Sequence, residues 1–250
     1  MKRMLFCALM ALFAAGCGQP RSSERVEWMV MGTVAAFQCR SHADIAKADK
    51  VKAIFAEVER LLNAHDPESE LNRLASRDNG EILEQCNPKV RPCYEAAFRY
   101  RDLSGGVFNP RYRGEGTMDL GGIAKGFALD LAAAEIGECD ALVDLGGNLK
   151  ALGGEWRIGV YGDVKNGMVV LRKGESCSTS GEYFRGKHIK DGRSGRDFSS
   201  SAYSVTVIHP DSAMDADALS TILYILGPEK GEGFLSTLGN PAIHTIWLGR

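Results

Sequence analysis

Residues 43–66, ADIAKADKVKAIFAEVERLLNAHD, carry apolar side chains at Ile45, Val51, Ile54, Phe55, Val58, Leu61 and Leu62. That spacing of three and four predicts a long helix with one buried face. It follows closely on WMVMGTVAAFQC, whose apolar run reads as a short strand. The same mixture continues. PESELNRLAS reads as a short helix with Pro67 at its start, and YEAAFRYRDLSGG as an amphipathic helix closed by glycines. FALDLAAAEIGE is helical, while ALVDLGGNLKALG and EWRIGVYG alternate like strands with glycine turns. GMVVLRKGESCSTSGEYF and SAYSVTVIHP add strands, and DADALSTILYILG forms a last long helix. Helices and strands interleave without a regular βα repeat, which predicts an α+β fold rather than a doubly wound sheet.

The N-terminus has the three-part plan of a secretory signal: Lys2 and Arg3, an apolar run from Met4 to Ala15, then small residues before Cys17. The run is too short to span a bilayer, which needs ~20 apolar residues. Ala15-Gly16-Cys17 resembles the end of a bacterial lipobox, in which the cysteine is lipidated and becomes the first residue. Ordinary cleavage leaving Cys17 as a thiol is the alternative. The polar GQPRSSER that follows reads as a tether. The division is therefore signal peptide 1–16, tether 17–27 and folded domain 28–250. Gly18 after the cysteine, in place of an aspartate, points to the outer membrane. A net charge of −2 with both signs interspersed gives no footprint for nucleic acid. In an oxidising compartment Cys86 and Cys93, which bracket the loop CNPKVRPC, are placed to pair; no Cys/His spacing suggests zinc.

The chemistry concentrates in MDLGGIAKGFALD, residues 118–130. Gly121 and Gly122 permit close backbone approach just before a helix whose first amides favour an anion. Lys125 lies in that first turn, against the helix dipole, and Asp119 and Asp130 flank it. Taken alone this is equally a tight turn. LVDLGGNL repeats the Asp-Leu-Gly-Gly theme, STSGEY offers hydroxyls beside a glycine, and KHIKDGRSG sets a histidine and an aspartate three apart. In DADALST, Asp217 and Thr221 stand at i and i+4, an oxygen pair suited to a hard cation such as Mg²⁺. Each has a bland counterpart: His188 as a polar strand residue, Thr221 bonded back to its own helix, Asp217 as a helix-terminal charge.

In this order the blocks resemble the ApbE family, the FAD:protein FMN transferases, from MGT at Met31–Thr33 through DPESELNRL, GGVFNP, DLGGIAKG, TSG and HIKDG to DADALST. The resemblance implies a two-lobed mixed fold with FAD in the cleft and a divalent ion on the pyrophosphate. It implies transfer of FMN to a threonine hydroxyl of a partner redox protein, with release of AMP. Carried over by position, Gly122, Lys125 and Asp130 contact FAD. A backbone oxygen near Ala124, with Asp217 and Thr221, holds Mg²⁺. Thr33, Glu70, Gly146, Gly147, Asn148 and Ser180 shape the flavin and adenosine pockets. His188, with Asp191 nearby, takes the proton from the incoming threonine. Such proteins are often lipid-anchored, on the periplasmic face of a bacterial membrane, and the acceptor threonine sits in an Asp-Gly-x-Thr-like context.

The chain departs from the family pattern in four places. Only RYRGEGT separates FNP from MDLGG, where a longer segment is usual; Asn109 replaces an aspartate, Ala64-His65 replace a tyrosine, and Gly192 replaces a proline. Three activities stay open: FMN transfer, hydrolysis of FAD to FMN and AMP, and FAD binding without turnover.

Overall fold

The computed structural model describes residues 23–160, 168–181, 189–198 and 202–249. Its strands are β1 (Glu24–Val30), β2 (Thr33–Cys39), β3 (Ala141–Leu145), β4 (Asn148–Ala151), β5 (Glu155–Gly159), β6 (Met168–Arg172), β7 (Ser176–Gly181), β8 (Lys190–Asp191), β9 (Arg196–Asp197), β10 (Ala202–His209) and β11 (His244–Gly249). The helices are α1 (Lys47–Leu62), α2 (Glu70–Leu74), α3 (Asn79–Gln85), α4 (Arg91–Leu103), α5 (Ala124–Ile136) and α6 (Ala213–Leu238), the last bent at Gly227 and Pro228. A seven-stranded sheet in the order β1-β2-β3-β4-β7-β10-β11 is antiparallel throughout, and β5–β6 and β8–β9 form separate hairpins. The α+β expectation holds.

Helix α1 buries Val51, Ile54, Phe55, Val58, Leu61 and Leu62, as its stripe requires, while Ile45 falls in the turn before it. The stretch read as one strand is a hairpin. Met31 and Gly32 turn with φ of 51° and 67°, the positive pair demanded by a two-residue link. Strand β1 begins at Glu24, inside the segment read as tether. Helix α2 starts at Glu70 rather than at Pro67, because Ser69 caps it by accepting from the Asn72 amide. Helix α3 and strand β11 were not anticipated; α3 is held by a capping box in which Asp78 and Glu81 exchange hydrogen bonds. Cys86 and Cys93 do not pair. Both are buried free thiols, Cys86 donating to the Leu83 carbonyl at 3.7 Å as α3 ends, and burial raises both thiol pKa values.

What positions the site is the packing of α5 on α6, with α6 also lying against β7 and β10. The contact is tight at one residue. A Cβ on Gly126 would stand 2.1 Å from the Ala213 carbonyl oxygen, so only glycine lets the backbones approach this closely.

Candidate active site

The two helices exchange carboxylates. Asp217, from α6, accepts the Gly126 amide on Oδ2 at 3.0 Å and so caps the start of α5, which has no capping side chain of its own nearby in sequence. Asp130, from α5, accepts the amides of Ala213 and Met214, both at 2.9 Å, and so caps the start of α6. Each carboxylate has a lysine partner: Lys125 Nζ lies 3.6 Å from Asp217 Oδ1, and Lys150 Nζ lies 2.9 Å from Asp130 Oδ1.

The two aspartates differ in what remains available. Asp130 also accepts from Ser212 Oγ at 3.2 Å, so both its oxygens are engaged by the protein. Asp130, expected at FAD, caps α6 and pairs with the buried Lys150. Asp217 is 3% exposed, and among the described residues the partner of its Oδ1 is the Lys125 cation at 3.6 Å, beyond hydrogen-bonding distance. Thr221 stands one turn further along α6, and its hydroxyl makes no hydrogen bond among the described residues, so the back-bonded alternative is not what the helix adopts. A Cβ on Gly122 would come within 3.3 Å of Thr221 Oγ1 and 3.1 Å of the Phe108 ring, which shows how closely the glycine turn is laid against α6. Asp119 shapes that turn by accepting the Gly121 amide at 2.8 Å, and is itself held by Tyr112 and Arg113. Lys125 donates back to the Gly121 carbonyl at 3.1 Å. Gly122, Ala124, Lys125, Asp217 and Thr221 are thus brought together from segments 91 residues apart.

A chain of contacts leads from there to most of the other predicted positions. Ser220 donates to the Asp217 carbonyl at 2.9 Å, accepts from Ser180 at 2.9 Å, and lies 3.1 Å from Ser178 Oγ. Ser178 donates to Asn148 Oδ1 at 2.7 Å, and the Asn148 Nδ2 is a buried donor with no partner among the described residues. Asn148 follows the Gly146-Gly147 turn, where φ is 64° and 91°, and a Cβ on Gly146 would meet Thr33 Oγ1 at 2.6 Å. Burial raises the pKa of Asp144, which accepts the Gly147 amide at 2.9 Å beneath this turn.

Glu70 stands apart from this chain, buried beside Tyr94, with Oε2 on the Asn87 amide at 2.9 Å and Oε1 unpaired among the described residues. Asp191 sits on the β8–β9 hairpin, clamped by the Arg193 guanidinium, which holds its carboxyl below the usual range. His188 and Cys17 lie outside the described residues. Sequence reasoning missed Lys150 and Ser220. Lys150 occupies an inward position in a strand and Ser220 an unremarked site in DADALST, and only the packing of β4, β7 and α6 shows their roles.

The donor set suits a hard cation. One carboxylate oxygen, one hydroxyl and the backbone oxygens of a glycine turn are ligand types that Mg²⁺ takes, a set that leaves coordination positions for phosphate oxygens. Among the described residues there is no group of three His, Cys, Asp or Glu side chains that would form a closed protein-only site.

The ApbE family model matches residues 31–115 and 112–244. The chain belongs to the ApbE family. It is similar to proteins called FAD:protein FMN transferase: 34% identical over 147 residues to one from Rhodobacter capsulatus, and 36% over 135 residues to one from Escherichia coli strain K12. A third, from Treponema pallidum, is 36% identical over 161 residues. These matches cover 52%, 46% and 52% of this chain but 28%, 38% and 43% of the relatives, so the chain matches less than half the length of each. The ApbE fold extends further than the sequence likeness. The apo flavinyl transferase ApbE of Pseudomonas stutzeri superposes with a TM-score of 0.72 at 22% identity, covering 92% of both chains. The Thermotoga maritima ApbE protein superposes at 0.71 and 20%, covering 90% of this chain and 94% of that one.

Proposed function

We propose that this chain is a magnesium-dependent FAD:protein FMN transferase, held by a lipid on Cys17 at the periplasmic face of a bacterial membrane, the outer membrane being favoured. Family membership and the names of its relatives support the activity. The observation that carries it is the convergence of Gly122, Lys125, Asp217 and Thr221 where α5 meets α6.

The reaction asks for charge neutralisation and alignment more than for covalent chemistry on the protein. Mg²⁺ held by Asp217, Thr221 and a backbone oxygen near Ala124 would supply Lewis-acid neutralisation of the pyrophosphate. Lys125 places a second positive charge beside it, and the start of α5, capped by Asp217 from α6, adds its dipole. Ser180 Oγ, whose proton goes to Ser220, offers an acceptor further along the site, and the Asn148 amide, unpaired among the described residues, offers a donor. His188 accepts the proton of the incoming threonine hydroxyl, a task suited to a group titrating near neutrality. The threonine oxygen bonds to the FMN phosphorus, the bridging P–O bond breaks, and AMP leaves with that electron pair. With water in place of threonine the same machinery yields free FMN and AMP.

The test is incubation of the protein with FAD, Mg²⁺ and a small acceptor domain carrying an Asp-Gly-x-Thr segment. Covalent flavin fluorescence on the acceptor after denaturing electrophoresis is the expected result. FMN released wholly into solution would assign hydrolysis, and no turnover would leave a binding protein.

A further inference from the structure

The β8–β9 hairpin is two residues long on each strand, far too small to hold its own position. One residue of its turn, Gly192, is held on both sides. The Gly192 amide donates to the Val107 carbonyl at 3.0 Å, and the Gly192 carbonyl accepts from Asn109 Nδ2 at 3.0 Å. Both peptide groups of Gly192 are therefore held by the segment 107–109. The fit leaves no space for a side chain: a Cβ on Gly192 would lie 2.5 Å from the Gly106 carbonyl, 2.6 Å from Asn109 Cβ and 2.7 Å from the Asn109 nitrogen. The orientation of the Asn109 amide is fixed too, because its Oδ1 accepts from the Arg111 amide at 2.9 Å and Nδ2 is left to donate.

The same segment touches the cradle on its other side, through the Phe108 ring packed against Gly122. At its base the hairpin is tied to α6 a second time. Phe198, whose amide donates to the Ile189 carbonyl at 2.9 Å, sets its ring edge-on to Tyr224, with centroids 6.3 Å apart. Tyr224 is one helical turn beyond Thr221. Segment 106–109 is thus a bridge between the hairpin and the Gly122–Thr221 cradle.

We propose that Asn109 and Gly192 form a latch that fixes the β8–β9 hairpin relative to the α5–α6 cradle, and that Asn109 is a positioning residue for the transfer reaction. The role in the reaction rests on the FMN-transfer reading; the latch itself rests on geometry alone. Phosphoryl transfer depends steeply on alignment, and Asp191 on this hairpin is three residues along the chain from the proposed base His188, so a hairpin free to shift would relax the alignment the incoming hydroxyl needs.

Asn109→Asp separates the two jobs of the side chain. The carboxylate still accepts from the Arg111 amide, but it cannot donate to Gly192 and sets a negative charge against that carbonyl. Gly192→Ala attacks the same latch from the other side by steric exclusion. Hydrogen exchange is read at the Gly192 and Phe198 amides of the ligand-free protein, alongside kcat and KM for FAD in the transfer assay. For Asn109→Asp the latch predicts exchange faster by about tenfold and kcat lower by about tenfold, one hydrogen bond's worth, with KM for FAD unchanged within about twofold. Gly192→Ala shifts both readouts further in the same direction, and where it fails to fold, Asn109→Asp decides alone. Unchanged exchange in Asn109→Asp overturns the latch. Faster exchange with unchanged kcat, or a rise in KM for FAD that accounts for the whole loss, overturns the positioning role. Faster exchange in a chain whose wild type transfers no FMN overturns the FMN-transfer reading and leaves the latch standing.

Discussion

Lys125 and Asp217 form a nearly buried pair at 3.6 Å, and that separation matters for how the site loads. The lysine is the built-in counter-ion of the carboxylate, so a divalent ion arriving at Asp217 Oδ1 must work against it unless an anion draws the lysine away. Metal and FAD should therefore bind cooperatively. Lys125→Met is predicted to tighten Mg²⁺ binding in the absence of nucleotide and to weaken FAD binding, each by roughly tenfold, the scale of a coupling of about 1.4 kcal/mol. Calorimetric titration of each ligand alone and together checks it; weaker Mg²⁺ binding in that variant would contradict the counter-ion role. Thr221→Val, which keeps shape and loses one neutral ligand, should weaken Mg²⁺ more mildly, because water replaces it. At this scale the sequence was a partial guide. Asp130 and Asp217 both read as helix carboxylates near a glycine-lysine block, and nothing in their spacing tells a cap with both oxygens engaged from one with an oxygen left over. Asn109 and Gly192 read as separate departures from a pattern, yet they are two sides of one contact.

The α5–α6 crossing makes a prediction of its own, since the site exists only if the helices approach as closely as Gly126 allows. Gly126→Ala must push its methyl against the Ala213 carbonyl, an overpacking worth about 1–3 kcal/mol or more, and at a few degrees per kcal/mol should lower Tm by roughly 5–10 °C. A thermal melt indistinguishable from wild type would mean that the crossing is looser than described. The hairpin adds a pH dependence. Arg193 depresses the Asp191 carboxyl, so the folded pKa lies below the unfolded one. The pair's contribution is then complete above the unfolded value of about 4 and is lost as pH falls through the depressed folded value. Acid titration followed by exchange at the Phe198 amide should show the hairpin loosening in that window, and Arg193→Gln should remove the step. Long periodic elements such as α1 were legible because burial on one face repeats over four turns. Helix α3 was not, because Asn79-Gly80 resembles a turn and only the Asp78–Glu81 capping box argues otherwise. The β1–β2 hairpin was missed because an unusual Met31 occupies the left-handed position where asparagine or glycine would have announced a turn.

For the whole molecule, the fold class followed from the irregular interleaving of elements, whereas the assembly of the site depended on contacts across the sheet that no local pattern encodes. Where the chain is held is a separate matter. Cys17→Ser is predicted to move the protein from the membrane to the soluble periplasmic fraction with transfer activity kept, and a wild type already wholly soluble would remove the anchor. The central claim is that the α5–α6 crossing is the catalytic centre for FMN transfer, and one comparison tests it most directly: the Mg²⁺-dependent rate of covalent flavin labelling of the acceptor by wild type and by Asp217→Ala. Labelling by the wild type and a loss of roughly 10²-fold or more in the variant are expected, on the scale of other lost charge-stabilising contacts, with the protein still folded and FAD still bound. Full Mg²⁺-dependent labelling by Asp217→Ala would show that Asp217 is only the cap of α5 and that the metal site lies elsewhere.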